Sequence, residues 1–280
     1  MEQGAKIYVA GHTGLVGSAL VRALERAGHG NLLLRRHAEL ELTDGAAVRA
    51  FFAQEKPEYV FVAAAKVGGI VANNTYRADF IYQNLHIASN VIHEAWRTGA
   101  KRLLYLGSSC IYPRDCPQPM KEEYLLAGPL ELTNRPYAVS KIAGIELCWS
   151  YNRQHATQFI AAMPTNLYGP GDNYDLETSH VLPALIRKAH EAKTRGDKEL
   201  VVWGTGKPRR EFLYSDDAAE ACLFLMNLPA EKYGGFLANE NAPPLVNIGC
   251  GEDQSIGELA TLVAEVVGFK GRLVFDTSKP

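Results

Sequence analysis

The chain has 280 residues, 47% of them hydrophobic and 21% charged, with a formal net charge of -2. That profile suits one large globular domain or two interlocked ones, and near-neutral charge gives neither nucleic acid nor a membrane surface a reason to bind. Apolar runs no longer than a strand, with the first strand already under way at Lys6, predict no signal peptide and no spanning helix.

Five cysteines (Cys110, Cys116, Cys148, Cys222, Cys250) form an odd set without a CxxC pair. They predict no disulfide framework, no metal site and a reducing, cytoplasmic setting.

Short β-branched or aliphatic runs alternate with helix-period segments. KIYVA (6–10), NLLLR (31–35), EYVFVAAA (58–65), RLLYLG (102–107) and QFIAAM (158–163) predict buried parallel strands. Between them, GLVGSALVRALERAG, DGAAVRAFFAQE, a long segment at 73–98 and YAVSKIAGIELCWSYNRQ predict helices. In the long one Phe80, Ile81, Leu85, Val91, Ile92 and Ala95 recur at helical intervals. This alternation implies right-handed βαβ units and an α/β fold, a doubly wound parallel sheet of Rossmann type. After NLYGPGDN (166–173) a helix at 181–193, VVW and EFLY predict a smaller lobe. The predicted division is a nucleotide-binding unit over 1–168, joined by roughly 211–228, and a C-terminal substrate lobe over 169–210 and 229–280.

The loop AGHTGLVG runs from Gly11 through His12, Thr13, Gly14, Leu15 and Val16 to Gly17, after the first strand and into the first helix. Glycines there let the backbone approach a pyrophosphate, whose charge the free N–H groups of the helix start can meet. A glycine triplet alone also suits a tight turn with no ligand; the flanking strand and helix favour a dinucleotide. The second strand ends in Arg35-Arg36, where an NAD site carries an acid for the ribose 2′-hydroxyl. Guanidinium groups suit a 2′-phosphate instead, so the predicted cofactor is NADP(H), with Arg36 as its contact. Solvated arginines, with Glu39 and Glu41 nearby, are the plain alternative.

RPYAVSKIAGIE puts Tyr137 and Lys141 on one face of a helix start. A neighbouring ammonium and the helix N-terminus favour the phenolate, which predicts a tyrosine pKa brought down toward neutrality. Ser108, in the GSS strand end, then joins Tyr137 as a donor to a substrate carbonyl.

Together the glycine loop, GSS and Tyr137-x-x-x-Lys141 resemble the extended short-chain dehydrogenase/reductases. More narrowly, AAAKVGGIVANN (63–74), LGSSCIYP (106–113), PYAVSKIAGIE (136–146), MPTNLYGP (163–170) and SHVLPALIRK (179–188) are similar to the GDP-L-fucose synthase family. Its members are NADPH-dependent 3,5-epimerase–4-reductases of GDP-4-keto-6-deoxy-D-mannose. The resemblance runs along the whole chain and implies catalysis by Ser108, Cys110, Tyr137, Lys141 and His180. Cofactor contacts are implied for the glycine loop, Arg36, Ala64, Lys141, Pro164, Asn166, Leu167 and His180. Lys188, Trp203, Arg210 and Asp276 are implied for the GDP-sugar, and a homodimer through the helices at 73–98 and 136–154. Thr13 stands where some relatives carry arginine, which leaves more of a 2′-phosphate to Arg36. The family continues beyond DTSKP, so the substrate lobe is expected to be incomplete there.

A 4-ketone acidifies the C–H bonds at C3 and C5, because the carbanion delocalises into an enolate that Ser108 and Tyr137 can hold. Inversion then needs a base on one face and an acid on the other, the roles expected for Cys110 and His180. Taken singly these residues read more plainly: a lone cysteine as a small buried hydrophobe, Lys188 as a solvated helix face, Trp203 as lobe core, Asn166 as a turn former. Two rival assignments remain. A UDP-sugar 4-epimerase recycling bound NAD is disfavoured by Cys110 and the arginines, and a non-catalytic NADP sensor by the Ser108, Tyr137 and Lys141 set.

Overall fold

The computed structural model describes residues 1–176 and 178–279. The first half runs β1 (Ile7–Ala10), α1 (Leu15–Arg26), β2 (Leu32–Leu33), α2 (Gly45–Glu55), β3 (Tyr59–Val62), α3 (Ile70–Thr75), α4 (Arg77–Arg97), β4 (Arg102–Leu106), α5 (Arg135–His155) and β5 (Phe159–Pro164). There follow β6 (Asn166–Tyr168), α6 (Val181–Arg195), β7 (Glu199–Trp203), β8 (Arg209–Tyr214), α7 (Ser215–Asn227), α8 (Ala230–Leu237), β9 (Leu245–Ile248), β10 (Asp253–Ser255), α9 (Ile256–Val267) and β11 (Arg272–Asp276).

Six parallel strands form the main sheet in the order β2-β1-β3-β4-β5-β9. Their continuous apolar runs follow from burial on both faces. One face packs Val48, Phe52, Val91, Ile92 and Ile145 from α2, α4 and α5; the other packs Leu20, Leu24, Cys222, Met226 and Tyr233 from α1, α7 and α8. Asp216 at the start of α7 pairs with both Arg22 and Arg26, fixing α1 against α7. The smaller lobe has its own core of Leu182, Leu185, Leu200, Val202, Leu259 and Val263, beneath the β11-β7 pair. A second small sheet, β10-β8-β6, adjoins it.

The doubly wound sheet agrees with the sequence expectation, and three details differ. β9 completes the main sheet and Tyr233 of α8 is buried in its core, so these pieces of the segment expected in the lobe pack with the sheet instead. The predicted helix at 73–98 is broken at Tyr76, whose φ of -103° and ψ of 43° end α3 and start α4. Periodicity reports which face is apolar and misses a phase break confined to one residue. The strand at 31–35 shrinks to Leu32–Leu33, and Arg35 just beyond it turns aside to meet Glu55.

Candidate active site

The sheet order reverses between β1 and β3, which opens a crevice at their carboxyl ends. The chain turns there at Gly11, whose φ of +83° lies in the left-handed region. A Cβ on Gly11 would come within 2.7 Å of the Ala64 amide nitrogen, so glycine lets the loop after β1 lie against the loop after β3. A Cβ on Gly17 would overlap the Gly11 carbonyl. Gly14 caps α1 without a side-chain hydrogen bond and donates its own N–H to Gly11 O at 3.0 Å. The amides of Leu15, Val16 and Gly17 remain as first-turn donors, the set an anionic diphosphate takes.

The Arg35-Arg36 pair splits. Arg35 donates to Glu55 at 2.9 Å and lies over the Phe51 ring, so it is structural. Arg36 is exposed, carries no ion pair among the described residues, and its charge reaches the glycine loop. There, burial first and Arg36 second push the His12 pKa down, leaving a neutral ring whose Nδ1 is buried without a partner. Glu39 is spent on the Arg36 backbone N–H at 2.7 Å. A helix start with no capping side chain and one free guanidinium fit the phosphates of NADP(H), with Arg36 toward the 2′-phosphate.

β4 delivers the next group. Past Leu106, Ser108 heads a single tight turn at Ser109–Ile111, which brings Cys110 Sγ to 3.4 Å from Ser108 Oγ. α5, opening with Pro136 in its first turn, sets Tyr137 and Lys141 on one face. Gly144 lets that helix approach β4, since a Cβ there would overlap the buried Tyr105 ring. Lys141 is 3% exposed; its ammonium donates to Leu106 O at 2.8 Å and sits 5.7 Å from the Tyr137 ring centroid.

The electrostatics here differ from the sequence expectation. Burial pushes the Tyr137 pKa up, Cys110 adds to the rise, and the Ser108 hydroxyl opposes it. Burial also brings Lys141 down to about 8, with Cys110 pulling the other way. Burial raises the Cys110 thiol too, against the Ser108 hydrogen bond and the Lys141 charge. Desolvation outweighs the single ammonium, whose proton is committed to the Leu106 carbonyl. Tyr137 is therefore a protonated donor rather than a ready phenolate.

His180 is exposed and caps α6, accepting Ala184 N–H at its carbonyl at 3.1 Å. The nearby Asp172 carboxyl is raised by burial. Ser108, Cys110, Tyr137 and Lys141 meet directly; His180 joins them through intermediaries. Tyr137 packs edge-on against Phe80, with ring centroids 6.3 Å apart. Phe80 abuts Gly68, and Gly69 N–H donates to Thr178 O at 3.0 Å, two residues short of His180.

In the smaller lobe the structure groups Lys188, Trp203 and Asp276. Lys188 Nζ lies 4.5 Å from the centroid of the Trp203 ring, which is 41% exposed, and burial lowers the Lys188 pKa. Asp276 is the β11 neighbour of Trp203, and its carboxylate accepts from Ser278 Oγ at 2.6 Å. Arg210 stands apart, exposed on β8, with Nη1 donating to Arg209 O at 2.7 Å. Asn166 Nδ2 donates to Glu211 O at 2.9 Å, so its amide fastens β6 to β8 and forms no turn. Pro164 ends β5 and Leu167 lies in β6.

Sequence reasoning missed several groups. Thr165 Oγ1, between Pro164 and Asn166, is buried without a partner and is a further polar atom in that segment. Phe80 reads as one residue in a helical stripe, yet it supports Tyr137. Asn84 clamps the loop after β3, accepting from Lys66 N at 2.8 Å and donating to Lys66 O at 3.0 Å. The only sequence signal for these was their place inside, or next to, motifs already singled out.

Residues 7–243 match the family model described as the NAD dependent epimerase/dehydratase family. A curated relative from Arabidopsis thaliana, putative GDP-L-fucose synthase 2, is 59% identical over 280 residues, covering 100% of this chain and 82% of its own length. GDP-L-fucose synthase of Escherichia coli (strain K12) is 54% identical over 278 residues, covering 98% of this chain and 85% of its own. Among solved structures, a GDP-mannoheptose C4 reductase from Campylobacter jejuni with NADP bound superposes with a TM-score of 0.89 at 42% identity. That match covers 99% of this chain and 89% of the other.

Proposed function

This chain belongs to the NAD dependent epimerase/dehydratase family, and from that premise we infer that it is an NADPH-dependent 3,5-epimerase–4-reductase converting GDP-4-keto-6-deoxy-D-mannose to GDP-L-fucose. The observation that carries this reading is the Cys110 thiol 3.4 Å from the Ser108 hydroxyl, in the same group as Tyr137 and Lys141. A plain ketone reductase needs the hydroxyls and the lysine. A carbon base beside them adds epimerisation. GDP-L-fucose synthases at 54% and 59% identity over nearly the whole chain support the same substrate.

In this reading Cys110, as thiolate, takes the proton from C3 and then C5 while the bond pair moves onto the C4 oxygen. Ser108 and Tyr137 donate to that oxygen. His180 returns a proton from the opposite face, which inverts the carbon, and between the two rounds the thiol gives its proton to solvent while the imidazole takes one up. Bound NADPH would supply the hydride that C4 accepts. Tyr137, held protonated by burial, gives its proton to the carbonyl oxygen, and the Lys141 ammonium stabilises the phenolate left behind. The first-turn amides of α1 and the Arg36 guanidinium hold the cofactor's phosphates. Lys188 holds the sugar nucleotide's diphosphate beside Trp203 and Asp276, and Arg210 assists from β8.

The division into a cofactor-binding sheet and a substrate-binding lobe belongs to this proposal. So does a homodimer through α4 and α5, supported by exposed Tyr82 and Val139 on those helices. A cytoplasmic location is proposed from five free thiols. No helix among the described residues is long and apolar enough to cross a membrane.

The test is incubation with NADPH and GDP-4-keto-6-deoxy-D-mannose in D2O. The expected product is GDP-L-fucose carrying deuterium at C3 and C5; a reduced sugar with neither inversion nor deuterium at those carbons overturns the assignment.

A further inference from the structure

The two faces of the proposed site meet at Gly68 and Gly69, and each glycine faces a different side. A Cβ on Gly68 would stand 3.2 Å from Phe80 Cζ and 3.0 Å from Ala72 Cβ. Phe80, 2% exposed, packs edge-on against the Tyr137 ring. A Cβ on Gly69 would stand 3.0 Å from Ser179 O and 3.5 Å from Thr178 O, the two residues that precede His180. Neither glycine has a positive φ, so the positions need glycine for room and not for backbone freedom.

The pair is tied to the helix that follows it. Asn73, 4% exposed, donates from Nδ2 to Gly68 O at 2.6 Å and to Gly69 O at 3.1 Å. Just before them the buried Asn84 amide clamps both backbone groups of Lys66. A segment tied at its carbonyls, with close contacts on both sides, passes on a displacement that it has little room to absorb.

We propose that Gly68-Gly69 is a two-sided spacer that sets the gap between the reducing group and the epimerising acid: Gly68 positions Tyr137 through Phe80, and Gly69 positions His180 through the Ser179 carbonyl. Both are positioning residues, since neither side touches the reacting atoms. The inference rests on the epimerase–reductase reading. It adds that the two half-reactions are tuned by adjacent residues and can be separated by one methyl group.

Two assays isolate the halves. Deuterium uptake at C3 and C5 of GDP-4-keto-6-deoxy-D-mannose, in D2O without NADPH, reads proton transfer. Oxidation of GDP-L-fucose by NADP+, the reverse of the last step, reads hydride transfer and needs no inversion. Sub-ångström misplacement of a catalytic group is worth roughly tenfold or more. Gly69→Ala therefore lowers uptake about tenfold while leaving the oxidation kcat within about twofold, and Gly68→Ala does the opposite. General destabilisation of the loop moves both assays together in both variants, and that outcome overturns the spacer, as does a loss in neither. Asn73→Ala, which frees the segment without adding bulk, keeps the test open should either alanine fail to fold; it lowers both activities through looser positioning, and unchanged kinetics count against the proposal. A wild-type protein that performs neither assay removes the functional reading itself, a result distinct from any pattern among the variants.

Discussion

Tyr137 and Lys141 stand on a helix pressed into the sheet by a glycine that leaves no room for a methyl group, whereas His180 caps an exposed helix start and reaches the sheet through one loop. The first side is paid for in burial: a lysine whose ammonium is nearly sealed from water and a tyrosine held protonated. The second side is solvated, and so are Trp203 and Arg210 beyond it. In the proposed reading, the groups that act on any ketone are fixed by packing, and those assigned to the sugar nucleotide wait at the surface.

The largest effect should come from breaking the buried side. Tyr137→Phe removes the proton donor and lowers NADPH oxidation by on the order of a thousandfold, while exchange at C3 and C5 falls less. Steady-state NADPH consumption beside deuterium uptake checks this; equal losses would merge the two sides. Cys110→Ser should reverse the pattern. Exchange drops by at least ~100-fold with NADPH affinity unchanged by fluorescence titration. In the wild type the thiol is raised by burial, so exchange climbs with pH, about tenfold per unit while the thiol remains mostly protonated. A flat profile from neutral into the alkaline range contradicts Cys110 as the base.

Arg36→Ala sharpens the cofactor assignment. The KM for NADPH rises roughly 10- to 100-fold and that for NADH stays put, because only the 2′-phosphate loses a charge-assisted partner. Equal changes for both cofactors would return Arg36 to the solvated surface.

The smallest effect concerns stability. Lys141 titrates near 8 in the fold against an ordinary 10.5, a depression caused by burial. A base whose folded pKa is depressed destabilises below that value. Between about 8 and 10.5 the folded state sheds its proton before the unfolded state does, so stability recovers as pH rises. Lys141→Met escapes a burial cost on the order of 3 kcal/mol at neutral pH but leaves the Leu106 carbonyl without its donor, at about 1–3 kcal/mol. Reduction is lost, and the variant's stability relative to the wild type falls as pH rises above 8. A stability difference that stays constant from pH 7 to pH 10 refutes the burial cost.

The parts of the molecule legible in the sequence are those set by short spacings. Gly11, Gly14 and Gly17 announce the cofactor turn because strand, turn and helix are consecutive. Tyr137 and Lys141 share a face because one helical turn separates them. The direction of the Tyr137 pKa was not legible, since depth of burial is a property of the assembled core. Nor was the role of Phe80, which meets Tyr137 across two helices. β9 is illegible for the same reason: LVNI is short, lies far from β5 in the chain, and counts as a strand only because β5 offers an edge. Lys188, Trp203 and Asp276 came from motif likeness, and only the register of β11 on β7 brings the last two together.

The chain leaves the main sheet at Pro164 and re-enters it at Leu245 as the outermost strand. The smaller lobe draws α6 and β7 from before that strand and α9 from after it, while α7 and α8 of the excursion pack back on the sheet, so the outermost strand is held from both flanks by segments that must meet elsewhere.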